Sequence, residues 1–250
     1  MLATLLTKRP SLETAMSALD RRRLKLPVLS LAALYKDYAS RPVTFYEMPL
    51  GPWSSPLADV AALAKIAVCA RPKRLLEVGS YRGYTTLMLA RHTDADARIV
   101  AVDRDPRHGE AYRGTEFADK VERRVAQVET AAFRDDAPRS YDLIFVDADH
   151  AYEKVREDTQ LLLPLLAPNG IFVWHDYANW GRFSRTNGVP ELLAELALDR
   201  PIAAIAGSWL AAHSPAWAHG ADRARYEAAC RAGAESAVNA DPWSVATVRG

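Results

Sequence analysis

The sequence predicts an α/β fold in which a doubly wound, mostly parallel sheet of seven strands carries helices on both faces. From residue 57 onward, short apolar runs alternate with segments of helical spacing, and this alternation is typical of a parallel sheet. The runs are apolar throughout, as expected for strands that are covered on both faces. A length of 250 residues is enough for one large domain or two small ones.

The elements are assigned from apolar periodicity, with glycine and proline as boundaries. The predicted strands cover residues 73–78, 98–102, 122–128, 141–146 and 171–174, with two more around Gly207 between residues 202 and 213. The predicted helices cover residues 57–67, 83–91, about 108–118, 131–133, 152–166, 192–196 and 221–237. Pro168, Asn169 and Gly170 are expected to end the helix that begins near residue 152.

The chain outside this alternation is expected to be helical. The spacing of Leu12, Met16 and Leu19 predicts one helix, and the run 29–38 predicts a second. We divide the chain into a helical extension, an α/β domain and a helical tail, which cover residues 1–50, 51–213 and 214–250. The two terminal segments are candidates for covering a site or for contacts in a homodimer.

Composition and charge exclude several classes of partner. The formal net charge is +1, so there is no global field that would attract a nucleic acid. No window approaches the roughly 18 apolar residues of a membrane span, and the N-terminal apolar run is too short for a secretory signal. Cys69 and Cys230 are far apart, in no metal or redox spacing. We therefore expect a cytoplasmic protein that binds neither nucleic acid nor a membrane.

Two features at strand ends predict a nucleoside-containing ligand. Gly79 and Gly83 bracket the turn between the first strand and its helix. The dinucleotide pattern G-x-G-x-x-G is missing, because Tyr81 occupies its middle position. Asp103 ends the second strand, where a carboxylate can accept both hydroxyls of a ribose. Together, the two glycines and Asp103 indicate a ligand that contains a nucleoside but no diphosphate, and S-adenosylmethionine fits this description. The alternative is that the glycines only form a tight turn and that Asp103 only stabilises a turn, with no ligand bound.

Three stretches carry a resemblance to a known family. LLEVGSYRGYTTLMLA, FVDADH and GIFVWHDY resemble the class I S-adenosylmethionine-dependent methyltransferases, most of all the catechol O-methyltransferase type and a group of bacterial small-molecule O-methyltransferases. The similarity covers roughly residues 55–180, and the order of elements continues to about residue 213. The resemblance implies a Rossmann-like sheet and a methyltransferase domain over residues 51–213.

The resemblance also implies where S-adenosylmethionine binds. Residues after the first strand would line its methionine part, with Thr85 near its carboxylate, and Asp103 would hold the ribose. Two residues after the third strand would flank the adenine. The cofactor-binding residues implied in this way are Glu77, Gly79, Tyr81, Gly83, Thr85, Asp103, Val128, Glu129 and Asp147.

The ends of the fourth and fifth strands carry the candidates for chemistry. The resemblance implies that Asp147 and Asp176 bind Mg²⁺ or another divalent cation. His150 stands where relatives carry a lysine general base, and an imidazole can do the same work because its ordinary pKa is about 6.5. The alternative for His150 is a residue of the next helix N-terminus. Asp149 is either a helix-capping acid or a ligand contact.

Tyr177 departs from the family pattern, which has an asparagine metal ligand at this position. Two alternatives therefore stay open. Asp147 and Asp176 bind the cation together with water, or the protein works without a metal and uses His150 or His175 as a base that either aspartate orients. The predicted catalytic residues are His150, Asp147 and His175, and the predicted metal ligands are Asp147 and Asp176.

These residues predict O-methylation of a hydroxyl group on a small molecule, such as a natural product, a phenol or a sugar, with His150 as general base. The alternatives are a methyltransferase that acts on nitrogen or on a macromolecule, and a non-catalytic cofactor-binding scaffold. A nicotinamide-dependent oxidoreductase is disfavoured by the missing glycine pattern. Four aromatic residues form either a lid over the acceptor or part of the core: Trp53, Tyr177, Trp180 and Phe183.

Overall fold

The sheet has eight strands, and the direction in which the chain crosses it reverses in the middle. The computed structural model describes residues 25–45, 54–178 and 187–239. The strands are β1 (Val28–Leu29), β2 (Arg74–Val78), β3 (Arg98–Asp103), β4 (Val121–Val125), β5 (Tyr141–Val146), β6 (Leu166–Trp174), β7 (Ile202–Ile205) and β8 (Ala211–His213). They lie in the order β1-β7-β8-β6-β5-β2-β3-β4. Only β8 pairs antiparallel, with β6 and β7, so the mostly parallel, doubly wound sheet is confirmed.

The point of reversal lies between β2 and β5, which pair in parallel. β3 and β4 continue on one side of β2, and β6, β8 and β7 continue on the other side of β5. In sheets of this kind a ligand binds beyond the carboxyl ends of the strands at the reversal. The register sets Val78 beside Val146, so the next residues, Gly79 and Asp147, meet at this position.

The described α-helices cover both faces of the sheet. They are α1 (Leu31–Leu34), α2 (Leu57–Ala70), α3 (Tyr84–Arg91), α4 (Tyr152–Leu162), α5 (Val189–Leu196) and α6 (Gly220–Asn239). Leu75 and Leu143 belong to a buried cluster with α2 and α6, whereas Leu76 and Ile144 belong to a second cluster with α4 and α5. Burial on both faces explains why the strands are apolar throughout. None of the described helices combines the length and the apolar character that a membrane crossing needs.

The predicted helix at residues 108–118 is wrong. This segment forms a series of turns and then a 3₁₀ turn at Ala118–Lys120. Gly109 has a left-handed φ of 88°, and its N–H donates to the carbonyl oxygen of Tyr81 at 2.8 Å. A backbone donor that a helix would use internally therefore ties this segment to the turn after β2.

The segment before α2 is less helical than predicted. Of the run 29–38, only Leu31–Leu34 is α-helical, and Val28–Leu29 forms the eighth strand instead. Hydrogen bonds to β7 hold these two residues extended, since Ala204 N–H donates to the carbonyl oxygen of Pro27 at 2.8 Å. The predicted helix nearer the N-terminus, through Leu12, Met16 and Leu19, lies outside the described residues.

Two further boundaries differ from the prediction. α4 ends at Leu162, and residues 168–170 lie within β6 instead of ending a helix. A 3₁₀ turn at Leu163–Leu165 contains a proline, which lacks the N–H that an α-helix needs there. β4 ends at Val125, short of the predicted residue 128.

The C-terminal helix packs on the N-terminal strand. Ser30 N–H donates to the carbonyl oxygen of Ala229 at 3.1 Å, and a Cβ on Gly233 would lie 2.1 Å from the carbonyl oxygen of Val28. Residues of β1, α1 and α6 share one buried cluster with α2. The division of the chain into an extension, a domain and a tail stays a prediction.

Candidate active site

The turn after β2 is built around two glycines. Gly79 has a φ of 89°, and Gly83, which precedes α3, has a φ of 85°; these left-handed values favour glycine. A Cβ on Gly79 would lie 2.0 Å from the carbonyl oxygen of Asp147, and one on Gly83 would lie 2.7 Å from the Tyr112 ring. The packing of the protein itself therefore requires both glycines, and it brings the end of β5 directly against the turn.

Asp103, the last residue of β3, is held against the same turn. Its carboxylate accepts the N–H of Tyr81 at 2.7 Å and that of Asp105 at 2.9 Å, and it lies 2.9 Å from Nδ1 of His108. Two carboxylate oxygens offer about four acceptor positions. Asp103 therefore keeps capacity for a hydroxyl of a ligand.

Glu77 is fully buried near the end of β2. Burial raises the pKa of Glu77 to about 8; a hydrogen bond from Thr86 Oγ1, at 2.5 Å, opposes the shift, and the charges of Asp147 and Asp103 add to it. This contact of Thr86 was not predicted from the sequence, and the prediction for Thr85 concerned the carboxylate of the cofactor. No lysine or arginine of the described residues forms an ion pair with these three carboxylates. The cationic partners of Asp103 and Asp147 are histidines, whose charge depends on pH.

Four side chains converge where β5 and β6 end: Asp147, His150, His175 and Asp176. We call them the histidine–aspartate cluster, and one ligand atom of each lies within 4.8 Å of the others. His150 Nε2 lies 2.9 Å from Asp176 and 3.4 Å from Asp147. His175 Nδ1 lies 3.2 Å from each aspartate. The structure therefore brings together every residue that was predicted as catalytic or metal-binding.

The backbone around Asp176 is strained and well supported. Its φ of 59° is rare for a residue other than glycine, and such strain concentrates at functional sites. Asn187 Nδ2 donates to the carbonyl oxygen of Asp176 at 2.7 Å. Gly188 N–H donates to the carbonyl oxygen of His150 at 2.7 Å. The two residues before α5 thus position two members of the cluster.

Asp59 in α2 supports the cluster from outside. It is completely buried, its Oδ2 lies 2.9 Å from His175 Nε2, and its Oδ1 accepts the N–H of Trp209 at 2.8 Å. Sequence reasoning missed Asp59, because an acid in the first turn of a helix is equally well explained by the helix dipole. It also missed Ser55, whose Oγ donates to Asp147 at 3.3 Å and which carries no sequence signal of its own.

The cluster stabilises the charged forms of its members. Burial alone would lower the pKa of His150, but Asp147 and Asp176 outweigh it and raise the pKa to about 9. The same carboxylates, with Asp59, raise the pKa of His175 well above its ordinary value despite burial. Burial would raise the pKa of both aspartates, but the histidines hold each pKa well below its usual range. A pKa of about 9 keeps His150 protonated at neutral pH when no cation balances the carboxylates.

Local structure explains two more candidates. Asp149 is exposed, and its Oδ1 accepts the N–H of Ala151 at 2.9 Å in the turn before α4. Because α4 begins without a side-chain cap hydrogen bond, Asp149 supports this turn rather than capping the helix, and a ligand contact stays a prediction. Tyr177 is buried, and its hydroxyl accepts the N–H of Leu26 at 2.8 Å, which makes it a core residue. The other aromatic residues considered for a lid lie outside the described residues: Trp53, Trp180 and Phe183.

The residues expected near the adenine lie in a loop, because β4 ends at Val125. Val128 is half-buried against the α4–α5 cluster, and Glu129 is exposed at the start of a 3₁₀ turn, Thr130–Phe133. Thr85 is buried in the first turn of α3. All three follow the carboxyl ends of strands, and their contacts with a cofactor stay predictions.

The region that holds these residues matches a known family. Residues 76–177 match the family model Methyltransf_24, which is described as a methyltransferase domain. Over this stretch the chain is similar to methyltransferase domains, and we call the matched stretch the methyltransferase domain. It runs from β2 to the residue after Asp176, so it includes the glycine turn, Asp103 and the whole histidine–aspartate cluster.

Two curated relatives of the methyltransferase domain are O-methyltransferases. The O-methyltransferase hkm8 of Aspergillus hancockii is 29% identical over 154 residues, which are 58% of this chain and 60% of that protein. The catechol O-methyltransferase of Mycobacterium tuberculosis is 32% identical over 110 residues, which are 37% of this chain and 49% of that protein. The chain therefore spans less than two thirds of the length of these relatives.

A solved structure shares the fold of the methyltransferase domain. The SAH-bound methyltransferase PaMTH1 of Podospora anserina superimposes with a TM-score of 0.55 at 20% identity, over 74% of this chain and 86% of that chain. At this identity the likeness shows the fold alone. It confirms the Rossmann-like class that the sequence predicts.

Proposed function

We propose that this chain is an S-adenosylmethionine-dependent O-methyltransferase whose acceptor is a hydroxyl group of a small molecule. One observation carries the proposal: Gly79 of the cofactor-type turn packs directly against Asp147 of the histidine–aspartate cluster. A methyl donor on the turn would therefore face groups that can take a proton. The names of the curated relatives, and the SAH (S-adenosylhomocysteine) bound to the Podospora anserina protein, support the same activity.

The turn suits this cofactor chemically. S-adenosylmethionine carries a positive sulfonium and a positive ammonium group and no phosphate, which fits an acidic turn without the dinucleotide glycines. When bound, it supplies an activated methyl group whose leaving group is an uncharged thioether. Asp103 would accept a ribose hydroxyl with the capacity that its contacts with Tyr81, Asp105 and His108 leave free. A cationic ligand would also favour the ionised form of Glu77, whose pKa burial raises.

His150 is the proposed general base. Its side chain is 32% exposed and that of His175 only 7%, so an acceptor hydroxyl reaches His150 more easily. Transfer forms a carbon–oxygen bond, breaks a carbon–sulfur bond and releases the hydroxyl proton, which the imidazole of His150 would take. This role needs a neutral imidazole. The neighbouring carboxylates, however, raise the pKa of His150 to about 9 and so keep it protonated at neutral pH.

A divalent cation on Asp147 and Asp176 would resolve this conflict. The chemistry that it would supply is charge compensation, because it offsets the carboxylates that hold the proton on His150. The donors fit such an ion. His175 Nδ1 is buried beside the two carboxylates and makes no hydrogen bond of acceptable geometry. We therefore favour the metal-dependent alternative over the metal-free one.

An exposed aromatic side chain lies beside the cluster. Trp209 is 38% exposed, and its ring centroid lies 6.4 Å from that of His175. A flat aromatic surface suits stacking against a phenol. Phenols, including catechols, are therefore the first acceptors to test.

Two measurements test the proposed function. Calorimetry should show that the wild-type protein binds S-adenosylmethionine and S-adenosylhomocysteine, and that Asp103→Ala binds both more weakly. Incubation with radiolabelled S-adenosylmethionine and a panel of catechols, other phenols and sugars should then give labelled methyl ethers. If the protein binds neither S-adenosylmethionine nor S-adenosylhomocysteine, the proposal is wrong. Label on an amine or a macromolecule would instead favour a methyltransferase that acts on nitrogen or on a macromolecule. Cofactor binding without methyl transfer would favour a non-catalytic cofactor-binding scaffold.

A further inference from the structure

The third metal ligand of the family pattern is missing at Tyr177. This side chain is committed to the core, since it is only 6% exposed and its hydroxyl accepts the N–H of Leu26 at 2.8 Å. Asp147 and Asp176 are then left as two carboxylates without the expected third protein ligand. A different side chain lies beside both carboxylates.

That side chain is His175. Its Nδ1 lies 3.2 Å from Asp147 Oδ1 and 3.2 Å from Asp176 Oδ1. The side chain is 7% exposed, yet Nδ1 makes no hydrogen bond of acceptable geometry. A buried ring nitrogen without a hydrogen-bond partner, directed between two carboxylates, is arranged as a ligand atom would be.

Asp59 determines which nitrogen of His175 carries the proton. A carboxylate oxygen only accepts, so Nε2, at 2.9 Å from Asp59 Oδ2, is the donor. In the neutral ring, Nδ1 then has its lone pair free. Asp59 is itself immobilised, because it is completely buried and its Oδ1 accepts the N–H of Trp209 at 2.8 Å. Histidines that bind metals usually donate their other N–H to a carboxylate in this way.

We propose that His175 Nδ1 is the third protein ligand of a divalent cation bound by Asp147 and Asp176, and that Asp59 is the positioning residue that fixes its tautomer. The inference rests on the proposed function only in placing the ion beside the acceptor. His150 keeps its separate role as general base.

An imidazole ligand changes which ion the site prefers. Mg²⁺ favours carboxylates, carbonyls and water, whereas imidazole nitrogen favours first-row transition metals. A set of two carboxylates and one imidazole should therefore bind Mn²⁺, Co²⁺ and Zn²⁺ more tightly than Mg²⁺, with affinity rising from Mn²⁺ to Co²⁺. Two aspartates with only water would not produce this preference.

The test measures metal binding by the chelator-treated full chain, without cofactor or acceptor. Calorimetry with Mg²⁺, Mn²⁺ and Zn²⁺ gives the affinities, and the visible absorption of the Co²⁺ form reports nitrogen ligation. His175→Ala should weaken Mn²⁺ and Zn²⁺ binding and change the Co²⁺ spectrum. His213→Gln is the matched control, because His213 is buried in β8, bonds to Pro201 and lies outside the cluster.

Asp59→Asn tests the positioning role with an isosteric change. The amide oxygen can still accept the N–H of Trp209, while the amide nitrogen donates to His175 Nε2 and moves the ring proton to Nδ1. Affinity for Mn²⁺ and Zn²⁺ should fall by about 10–100-fold. Asp158→Asn is the control, a buried aspartate of α4 outside the cluster. The ¹⁵N chemical shifts of the His175 ring in the wild-type protein report its tautomer. Their change on addition of Zn²⁺ reports metal binding, and neither measurement needs a substitution.

Unchanged metal affinity in folded His175→Ala would overturn the ligand assignment, and unchanged affinity in folded Asp59→Asn would overturn the positioning role. Tighter binding of Mg²⁺ than of Zn²⁺ by the wild type would overturn both. A neutral His175 ring whose ¹⁵N signature places the proton on Nδ1 would do the same. Binding of S-adenosylmethionine is measured separately by calorimetry. Absence of this binding would count against the proposed function and would not affect the conclusion on metal binding.

Discussion

Gly79 and Asp147 pack so closely that a Cβ on the glycine would lie 2.0 Å from the aspartate carbonyl oxygen. The contact joins the turn after β2 to the end of β5, where the sheet reverses its direction. Asp147 N–H also donates to the carbonyl oxygen of Val78 at 2.8 Å. Backbone packing therefore sets the distance between the cofactor-type turn and the histidine–aspartate cluster.

Gly79→Ala should lower the free energy of unfolding by about 3 kcal/mol, because its methyl group meets backbone atoms at an unfavourable φ. Gly114→Ala is the matched control. Gly114 has a φ of 76°, but nothing lies within 4 Å of its Cβ position, so the loss should be about 1 kcal/mol. Urea denaturation of the three proteins measures both losses. Equal losses would show that contact with Asp147 is not what requires glycine.

Glu77 should make the protein less stable as the pH rises through neutrality. Its pKa is about 8 in the folded protein and 4.5 ordinarily, so the folded state binds this proton more tightly than the unfolded state. Between these two values, the free energy of unfolding of the wild type should fall relative to that of Glu77→Gln. Above the folded pKa the difference should be constant. Urea denaturation of both cofactor-free proteins at a series of pH values measures it.

Thr86→Val sharpens this experiment, because it removes the hydrogen bond that opposes the shift. In that background the decline should extend to higher pH. The difference between each protein and its Glu77→Gln counterpart cancels the groups that titrate in both. A difference that does not change with pH would contradict the raised pKa.

His150→Ala should lower kcat by about 10²–10⁴-fold, because the acceptor proton loses its base. Binding of S-adenosylmethionine should change little, since His150 lies outside the turn. His150→Lys should recover part of the activity, because an amine can also take a proton. Steady-state kinetics and calorimetry give the two readings, with His92→Ala, a change at the end of α3, as control. Full activity of His150→Ala would remove it from the mechanism.

Asp149→Ala should lower stability and leave methyl transfer intact. The substitution removes the acceptor for the N–H of Ala151 in the turn before α4, which costs about 1 kcal/mol, the net contribution of one hydrogen bond. Asp147→Ala, two residues earlier, should abolish transfer. Thermal denaturation and a methyl-transfer assay on both variants distinguish the roles. Loss of activity in Asp149→Ala at unchanged stability would make this residue a ligand contact.

Local patterns predicted most of the sheet, and long-range hydrogen bonds caused the errors. β5 and β6 are buried on both faces, so their apolar runs were readable from periodicity alone. Residues 108–118 have an acceptable helical pattern, but the N–H of Gly109 bonds to Tyr81 instead. β1 has only two residues and is extended because β7 pairs with it. A local sequence pattern contains no information about either hydrogen-bonding partner, Tyr81 or β7.

The residues of the candidate site also fall into those that local patterns predicted and those that they missed. Asp147, His150, His175 and Asp176 were predicted because each follows a recognisable strand, and parallel pairing brings those strand ends together. Asp59 lies 116 positions from His175 and carried no signal that distinguished it from a helix-dipole acid.

The sequence by itself determined the fold class, the strand ends and the identity of the ionisable groups placed there. Apolar periodicity and glycine positions are local properties of the sequence. Only the tertiary structure decided the chemical state of those groups. The pKa of His150 depends on its distances to Asp147 and Asp176, and the tautomer of His175 depends on Asp59. Electrostatic energies and hydrogen bonds follow separation in space, which folding sets and sequence spacing does not.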